Sequence, residues 1–285
     1  MNVAQVIETG LGISFQDKGR EGWRRFGIPT GGIMDGTSAQ LANELVGNLP
    51  HETLLECTLH GAEIRFIKDS WVALAGACSS PSLASGTARL MRSGETLKIS
   101  PTPQGIWSYL AIPGGWKSGF WFGSSSTDIR SRMGESITSG TILKSNGSNL
   151  VPYHASIASR SASDATVAVG FPPIEGFPIL PGPQFENFSQ LACEQLVQQT
   201  WRISLNSDRT GFRLEGSAMD LAPDITSEAV LPGSIQVPGS GLPIVTMPDG
   251  PTVGGYPKVA YIEPEYLWQL AQCQPGTQIK FKWSK

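Results

Sequence analysis

Ala88–Arg89–Leu90–Met91–Arg92–Ser93–Gly94–Glu95–Thr96–Leu97–Lys98–Ile99 alternates apolar and polar residues on both sides of a Ser-Gly turn. Side chains on an extended strand point to opposite faces in turn, so this pattern reads as two half-buried strands joined by a turn, a hairpin. Leu54–Leu59 and Ala62–Phe66, flanking His60–Gly61, read the same way. Working outward, further strands are expected at Val3–Ile7, Val72–Gly76, Trp107–Ile112, Thr166–Val169, Trp201–Leu205, Ser234–Val237, Pro243–Met247, Val259–Ile262 and Gln278–Phe281. Three segments carry helical spacing instead. The first is capped by Asp35 or Ser38, carries Leu41, Ala42, Leu45 and Val46, and stops at Gly47–Asn48. The second holds Phe188, Leu191, Ala192, Leu196 and Val197; the third starts at Pro264 and ends before Pro275–Gly276. The expected fold is mainly β with a few short helices, one domain over 1–285 made of two β-rich sub-units, about 1–105 and 106–285.

Composition agrees with that class. The 285 residues include 33 glycines and 21 prolines, and only 16% are charged. Many short strands with tight turns account for this mixture. A faint duplication runs through it. Asp17–Lys18–Gly19 is echoed by Asp208–Arg209–Thr210–Gly211, and Ser93–Gly94 before one strand by Pro275–Gly276 before another. Ile142–Asp164, rich in Ser and Asn, reads as a linker or long loop.

Several function classes drop out. The net charge of −3 is dispersed, with no basic stripe for nucleic-acid phosphates. The longest apolar run, Trp71–Cys78, is too short to cross a bilayer, and no signal peptide opens the chain. Cys57, Cys78, Cys193 and Cys273 are isolated, which fits a reducing, cytoplasmic setting. The three histidines, His51, His60 and His154, lack metal-ligand spacing, so no metal is expected. Gly114–Gly115–Trp116–Lys117–Ser118 lacks the Gly-Lys-Ser step of a phosphate loop, no serine-hydrolase elbow occurs, and no Met-Lys-Met segment could carry covalent biotin.

Four clusters remain in which charge sits beside glycine and proline. They are Gln16–Arg20 with Gly27–Asp35; Pro113–Gly115 with Gly123–Asp128; Pro181–Gln184 with Ser207–Gly216; and Ser227–Glu228 with Gln236–Pro238 and Thr252–Lys258. Glycine turns let backbone N–H groups approach a ligand oxygen, and Arg or Lys supplies charge for an anion.

Taken in order, these strings resemble the KipA-type family, which comprises the second allophanate hydrolase component and the C-type component of 5-oxoprolinase, a biotin-dependent carboxyltransferase-like group. The matching residues include Gln16–Asp17, Gly19–Arg20, Met34–Asp35, Leu41–Ala42–Asn43, Gly47–Asn48, Leu55–Glu56, Gly123–Ser124, Ser207–Asp208–Arg209, Arg213–Gly216, Ser227–Glu228, Gln236–Val237–Pro238 and Gly254–Gly255–Tyr256–Pro257–Lys258. The resemblance implies a cyclophilin-like barrel architecture and a KipI-type partner, with a LamB/YcsF-type protein completing an ATP-dependent 5-oxoprolinase that opens 5-oxo-L-proline to L-glutamate. ATP would be used by the complex, and this chain alone would be inert. On that reading Arg20 or Arg209 holds a substrate carboxylate, with Gln236, Gly254 and Gly255 beside it. Asp35 and Tyr256 orient or exchange protons, and Lys258, at the end of a turn, neutralises charge on an oxygen. Alternatives are the carboxyltransferase component of a biotin-dependent urea or amide carboxylase, and a non-catalytic module that sequesters a KipI-type kinase inhibitor. Ser125 stands where the family pattern has Arg, and Glu135 where it has Gly. The aromatics Trp116, Phe120, Trp121 and Phe122 are expected at the partner interface.

Overall fold

The computed structural model describes residues 1–59, 61–148, 150 and 175–284. Two compact units arise: Met1–Glu21 with Gly31–Phe171, and Gly22–Thr30 with Pro172–Lys285. This division differs from the expected boundary near 105/106. The strands Ser108–Ala111 and Ile142–Ser145, which follow residue 105, pair with strands from the first hundred residues, so they belong to the first unit.

The first unit holds β1 (Asn2–Glu8), β2 (Ile13–Gln16), β3 (Leu54–Cys57), β4 (Ala62–Phe66), β5 (Ser70–Gly76), β6 (Thr87–Met91), β7 (Thr96–Ile99), β8 (Ser108–Ala111), β9 (Trp116–Lys117) and β10 (Ile142–Ser145). They form two five-stranded sheets, ordered β7-β4-β1-β10-β9 and β2-β3-β8-β5-β6. Val3, Val6, Ile64, Phe66 and Leu143 from one sheet meet Phe15, Leu55, Val72, Leu74 and Leu110 from the other in one core. Successive residues of β5 are buried on both faces, because helix α1 (Gly36–Leu45) covers the side opposite that core. Asp35, rather than Ser38, caps α1; its carboxylate accepts from Ser38 N–H at 3.0 Å.

Both expected hairpins are instead corners between the sheets. β6 pairs with β5 while β7 pairs with β4, and β3 pairs with β2 and β8 while β4 pairs with β1. The cause lies in the turn: Gly94 N–H donates to Phe66 O and Phe66 N–H to Glu95 O, both at 2.8 Å, so the end of β4 captures the chain. Period-two alternation is the same on either sheet of a shared core, and cannot distinguish a hairpin from a corner. Ile142–Ser145, expected in a loop, is an interior strand; most of the remainder of that expected loop, and the expected strand Thr166–Val169, lie outside the described residues.

The second unit holds β11 (Phe177–Pro181), β12 (Trp201–Ile203), β13 (Gly211–Glu215), β14 (Glu228–Ala229), β15 (Ser234–Gln236), β16 (Ile244–Thr246), β17 (Val253–Gly254), β18 (Lys258–Ile262), β19 (Gln278–Ile279) and β20 (Phe281–Trp283). Eight of these form one sheet, β19-β12-β13-β16-β15-β18-β11-β20, and β14-β17 make a separate ribbon. The edge strands β19 and β20 are separated by one residue, Lys280, so the sheet nearly closes on itself as a barrel. Helix α2 (Gln190–Gln198), capped by Ser189, packs on β20, and α3 (Pro264–Ala271), with proline in its first turn, packs on β11.

The echoed turns share a hydrogen bond. Asp17 Oδ1 accepts from Gly19 N–H at 2.8 Å, and Asp208 Oδ1 accepts from Thr210 N–H at 2.7 Å. In both, the aspartate folds the chain back on the residue two positions on.

Candidate functional site

The predicted site residues separate into two groups, one within each unit. Arg20 and Asp35 lie in the first, and Arg209, Gln236, Gly254, Gly255, Tyr256 and Lys258 in the second.

In the second unit the centre is Lys258. It opens strand β18 and is fully buried, so the turn lysine expected from the sequence is an interior residue. Its neighbour across the sheet is Gln236, at a place where the β15–β18 register slips by one residue. Such a bulge re-aims side chains. Lys258 Nζ lies 2.6 Å from Glu228 Oε1 and makes no further hydrogen bond among the described residues. An ammonium carries three N–H donors, and a single carboxylate oxygen leaves donors over.

Gln184 ties this pair together. Its Oε1 accepts from Lys258 N–H at 3.0 Å and its Nε2 donates to Glu228 Oε1 at 2.8 Å, so both ends of the amide have a fixed partner. The Pro181–Gln184 turn can come this close because of Gly182, where a Cβ would lie 2.3 Å from Lys258 O. Hydrogen bonds from Lys258 and then Gln184 hold the Glu228 carboxyl below the usual glutamate range. Burial, followed by the charge of Glu228, pushes the Tyr261 phenol up. Gln236 Nε2 donates to Thr246 Oγ1 at 2.8 Å. The backbone of Gly254 passes close to its other end: a Cβ there would lie 3.2 Å from Gln236 Oε1. Gly255 follows the ribbon, and Tyr256 is half exposed two residues before Lys258. Arg209 faces Asp249 in a two-pronged pair, Nε to Oδ2 at 2.7 Å and Nη2 to Oδ1 at 3.0 Å.

In the first unit the Asp17 charge is treated differently. The Asp17 carboxylate accepts from Gly19 N–H, Ser125 N–H and the hydroxyls of Ser124, Ser125 and Ser126, all buried. Ser125 Oγ also bonds Thr53 Oγ1 at 2.6 Å, so the residue in place of the family arginine is enclosed beside Asp17. Arg20 is buried and donates from Nη2 to Ser126 O. Asp35 is buried, with Oδ1 on Ser38 N–H and Oδ2 on Ser38 Oγ at 2.6 Å. Its own N–H donates to Tyr109 Oη at 2.7 Å, and that hydroxyl donates to Glu56 at 2.8 Å. Burial, then the charges of Glu56 and Asp35, drive the Tyr109 phenol well above its ordinary value.

Glu135 sits at the edge of the serine turn, where its carboxylate accepts from Gly119 N–H at 3.0 Å and its carbonyl from Thr127 Oγ1. Among the aromatics, Trp116 is core, with Nε1 donating to Leu110 O, whereas Phe120 is 71% and Phe122 43% exposed. Phe122 also carries a left-handed φ of 53°, unusual for a non-glycine residue. Burial raises all four cysteine thiols, those of Cys78 and Cys273 to about 12, which leaves them protonated and unreactive near neutral pH. Among the described residues, no His, Cys, Asp or Glu group is arranged to hold a metal ion, and no helix is long and apolar enough to cross a membrane. Gln184 and Glu228 were visible in the charged clusters but carried no role there; a glutamine bridging backbone to carboxylate leaves no spacing signal.

The fold, mainly β with a nearly closed barrel in its second unit, is the architecture of carboxyltransferase domains. The chain belongs to the carboxyltransferase domain family, subdomain A and B, whose model matches residues 26–283. It is similar to the 5-oxoprolinase C subunit of Escherichia coli strain K12, 33% identical over 97% of this chain and 90% of that protein. Among solved structures, TTHA0988 superposes with a TM-score of 0.88 at 31% identity over 99% of this chain, which spans 56% of that one. The Kluyveromyces lactis urea carboxylase gives a TM-score of 0.88 at 27% identity, covering 98% of this chain and 27% of the larger protein.

Proposed function

We propose that this chain is the C subunit of a heteromeric, ATP-dependent 5-oxoprolinase that opens 5-oxo-L-proline to L-glutamate. The observation that carries the reading is Lys258: buried, set beside Gln236 and Gly254, and with donors that Glu228 does not fill. Opening the ring amide requires negative charge to develop on the carbonyl oxygen while the ring nitrogen takes a proton. A fixed cation aimed at that oxygen stabilises the charge more than it stabilises the substrate, and such donors contribute about 3 kcal/mol each. Tyr256, half exposed beside the ribbon, is the group on this chain assigned to proton exchange. Gln236 and the Gly254–Gly255 backbone frame the substrate.

The remaining assignments shift on geometric grounds. Arg209 is committed to Asp249, Arg20 to the Ser126 carbonyl and Asp35 to its helix. We assign these three to holding their units in shape. The Gly114–Gly115 turn borders Glu52, a poor neighbour for phosphate, and ATP handling falls to the partner proteins. The exposed Phe120 and Phe122 are the surface offered to a KipI-type partner, with a LamB/YcsF-type protein as the third component, all in the cytoplasm. The similarity to the 5-oxoprolinase C subunit over nine-tenths of its length favours this reading over the carboxylase component, whose relative is several times longer.

Co-expression with the genetic neighbours and an assay for ATP- and 5-oxoproline-dependent glutamate tests it. The assembly is expected to form glutamate and the single chain to form none. ATP- and urea-dependent carboxylation with a linked biotin carrier would replace the reading, and a partner bound without turnover would favour the sequestering module.

A further inference from the structure

The ion pair at Lys258 is lopsided. The lysine side chain is 1% exposed and the Glu228 side chain 42%. If the two separate, Glu228 can rehydrate at little cost, but Lys258 cannot, and an isolated buried cation is strongly unfavourable. Lys258 therefore needs an anion at that place, although not this particular one.

The element that brings Glu228 there is slight. Strand β14 is two residues long and pairs only with β17, in a ribbon separate from the eight-stranded sheet. One end of the ribbon is pinned. Arg24 Nη2 donates to Val230 O and to Pro251 O, carbonyls flanking the two strands on the side away from Glu228, and Val230 N–H donates to Thr252 O at 3.0 Å. At the other end Glu228 is preceded by residues 218–227, which contain no helix or strand, whereas Gly254 leads through Gly255–Pro257 straight into β18. β14 is therefore the lighter strand of the ribbon, and Glu228 can shift without unpairing any strand of the eight-stranded sheet.

The geometry points to Glu228 as a placeholder, a carboxylate on the light strand β14 that accepts one Lys258 N–H until a carboxylate of the substrate takes that place, with the remaining N–H donors left for the ring carbonyl oxygen. Exchanging one carboxylate for another leaves the buried charge balance unchanged and lets Glu228 withdraw only when the correct class of ligand arrives. This inference rests on Lys258 belonging to the active site, and it deepens that reading by naming a small carboxylate-bearing molecule as the ligand class. Gln184 then keeps the seat in place, because its bond to the Lys258 backbone survives when Glu228 leaves.

Isothermal titration of the purified chain with acetate and with 5-oxo-L-proline, on wild type, Glu228→Gln and Lys258→Met, tests the proposal; Glu228→Ala serves as a second variant, with folding checked by near-UV circular dichroism. Removing the competing carboxylate should tighten acetate binding by about tenfold or more, and Lys258→Met should abolish it. Acetate binding that is unchanged, weaker or absent in both Glu228 variants overturns the proposal, as does wild-type binding in Lys258→Met. If the Glu228 variants gain acetate but the co-expressed assembly forms no glutamate from 5-oxo-L-proline, the placeholder stands and the 5-oxoprolinase reading falls.

Discussion

The Asp17 turn of the first unit and the Lys258 strand of the second both set a buried charge among glycines, hydroxyls and amides, but their hydrogen bonds close differently. Asp17 receives five donors from Gly19 and the three serines, which more than fills the about four lone-pair sites of its two carboxylate oxygens. Lys258 meets one carboxylate oxygen and keeps donors in reserve. A saturated buried charge has nothing left to offer a ligand, and its interactions organise the chain. An unsaturated one costs stability in the free protein, and that cost is recovered when a ligand supplies the missing acceptor. The contrast separates structure from function among residues that look alike in the sequence.

The contrast can be tested at three levels of effect. The largest belongs to Asp17→Ala, which strands several buried serine and backbone donors and should lower stability by roughly 4 kcal/mol in denaturant titration. A loss below about 1 kcal/mol, within the range of a surface change, would show that the turn does not depend on that carboxylate. An intermediate effect is expected for Arg209→Lys. Losing the two-pronged bond to Asp249 should cost about 1 kcal/mol of stability and leave KM for 5-oxo-L-proline unchanged in the assembly. A raised KM would return Arg209 to the substrate site. The smallest effect is the pH dependence of Glu228. Its folded pKa is lowered, chiefly by Lys258. The stabilisation is therefore fully present above the unfolded glutamate value of about 4.3 and is lost as pH falls through the lower folded value. The difference in melting temperature between wild type and Glu228→Gln should stay flat from neutral pH down to the unfolded value and collapse as pH falls on through the folded value. A change centred near neutral pH would mean another group titrates with the pair.

How much of this was legible in the sequence depended on the range of the interaction. Local signals served well: the proline-started helix at Pro264 occurs as read, and one of the two cap residues the sequence offered, Asp35, caps its helix. The strands on either side of Ser93–Gly94 also form, but their pairing does not follow, since the hydrogen bonds of Phe66 to that turn decide it from almost thirty positions away. The polar groups show the same limit. Asp17, Arg20, Asp35, Arg209 and Lys258 all stood out as charges beside glycines. Which of them was already satisfied depended on Ser124–Ser126, Ser38, Asp249 and Glu228, partners that for Asp17 lie more than a hundred residues away. Arg24, which pins the ribbon, carried no local signal at all.

The most direct measurement compares glutamate formation by the co-expressed assembly carrying Lys258→Met with that carrying Asp35→Asn, each verified as folded and assembled. Methionine fills the buried lysine's space without charge, whereas asparagine caps a helix about as well as aspartate but cannot carry its proton. Lys258→Met should lower turnover by about a hundredfold or more, and Asp35→Asn should leave it within a few-fold of wild type. The opposite result, an active Lys258→Met assembly and an inactive Asp35→Asn one, would place the chemistry at the saturated cluster and contradict the account.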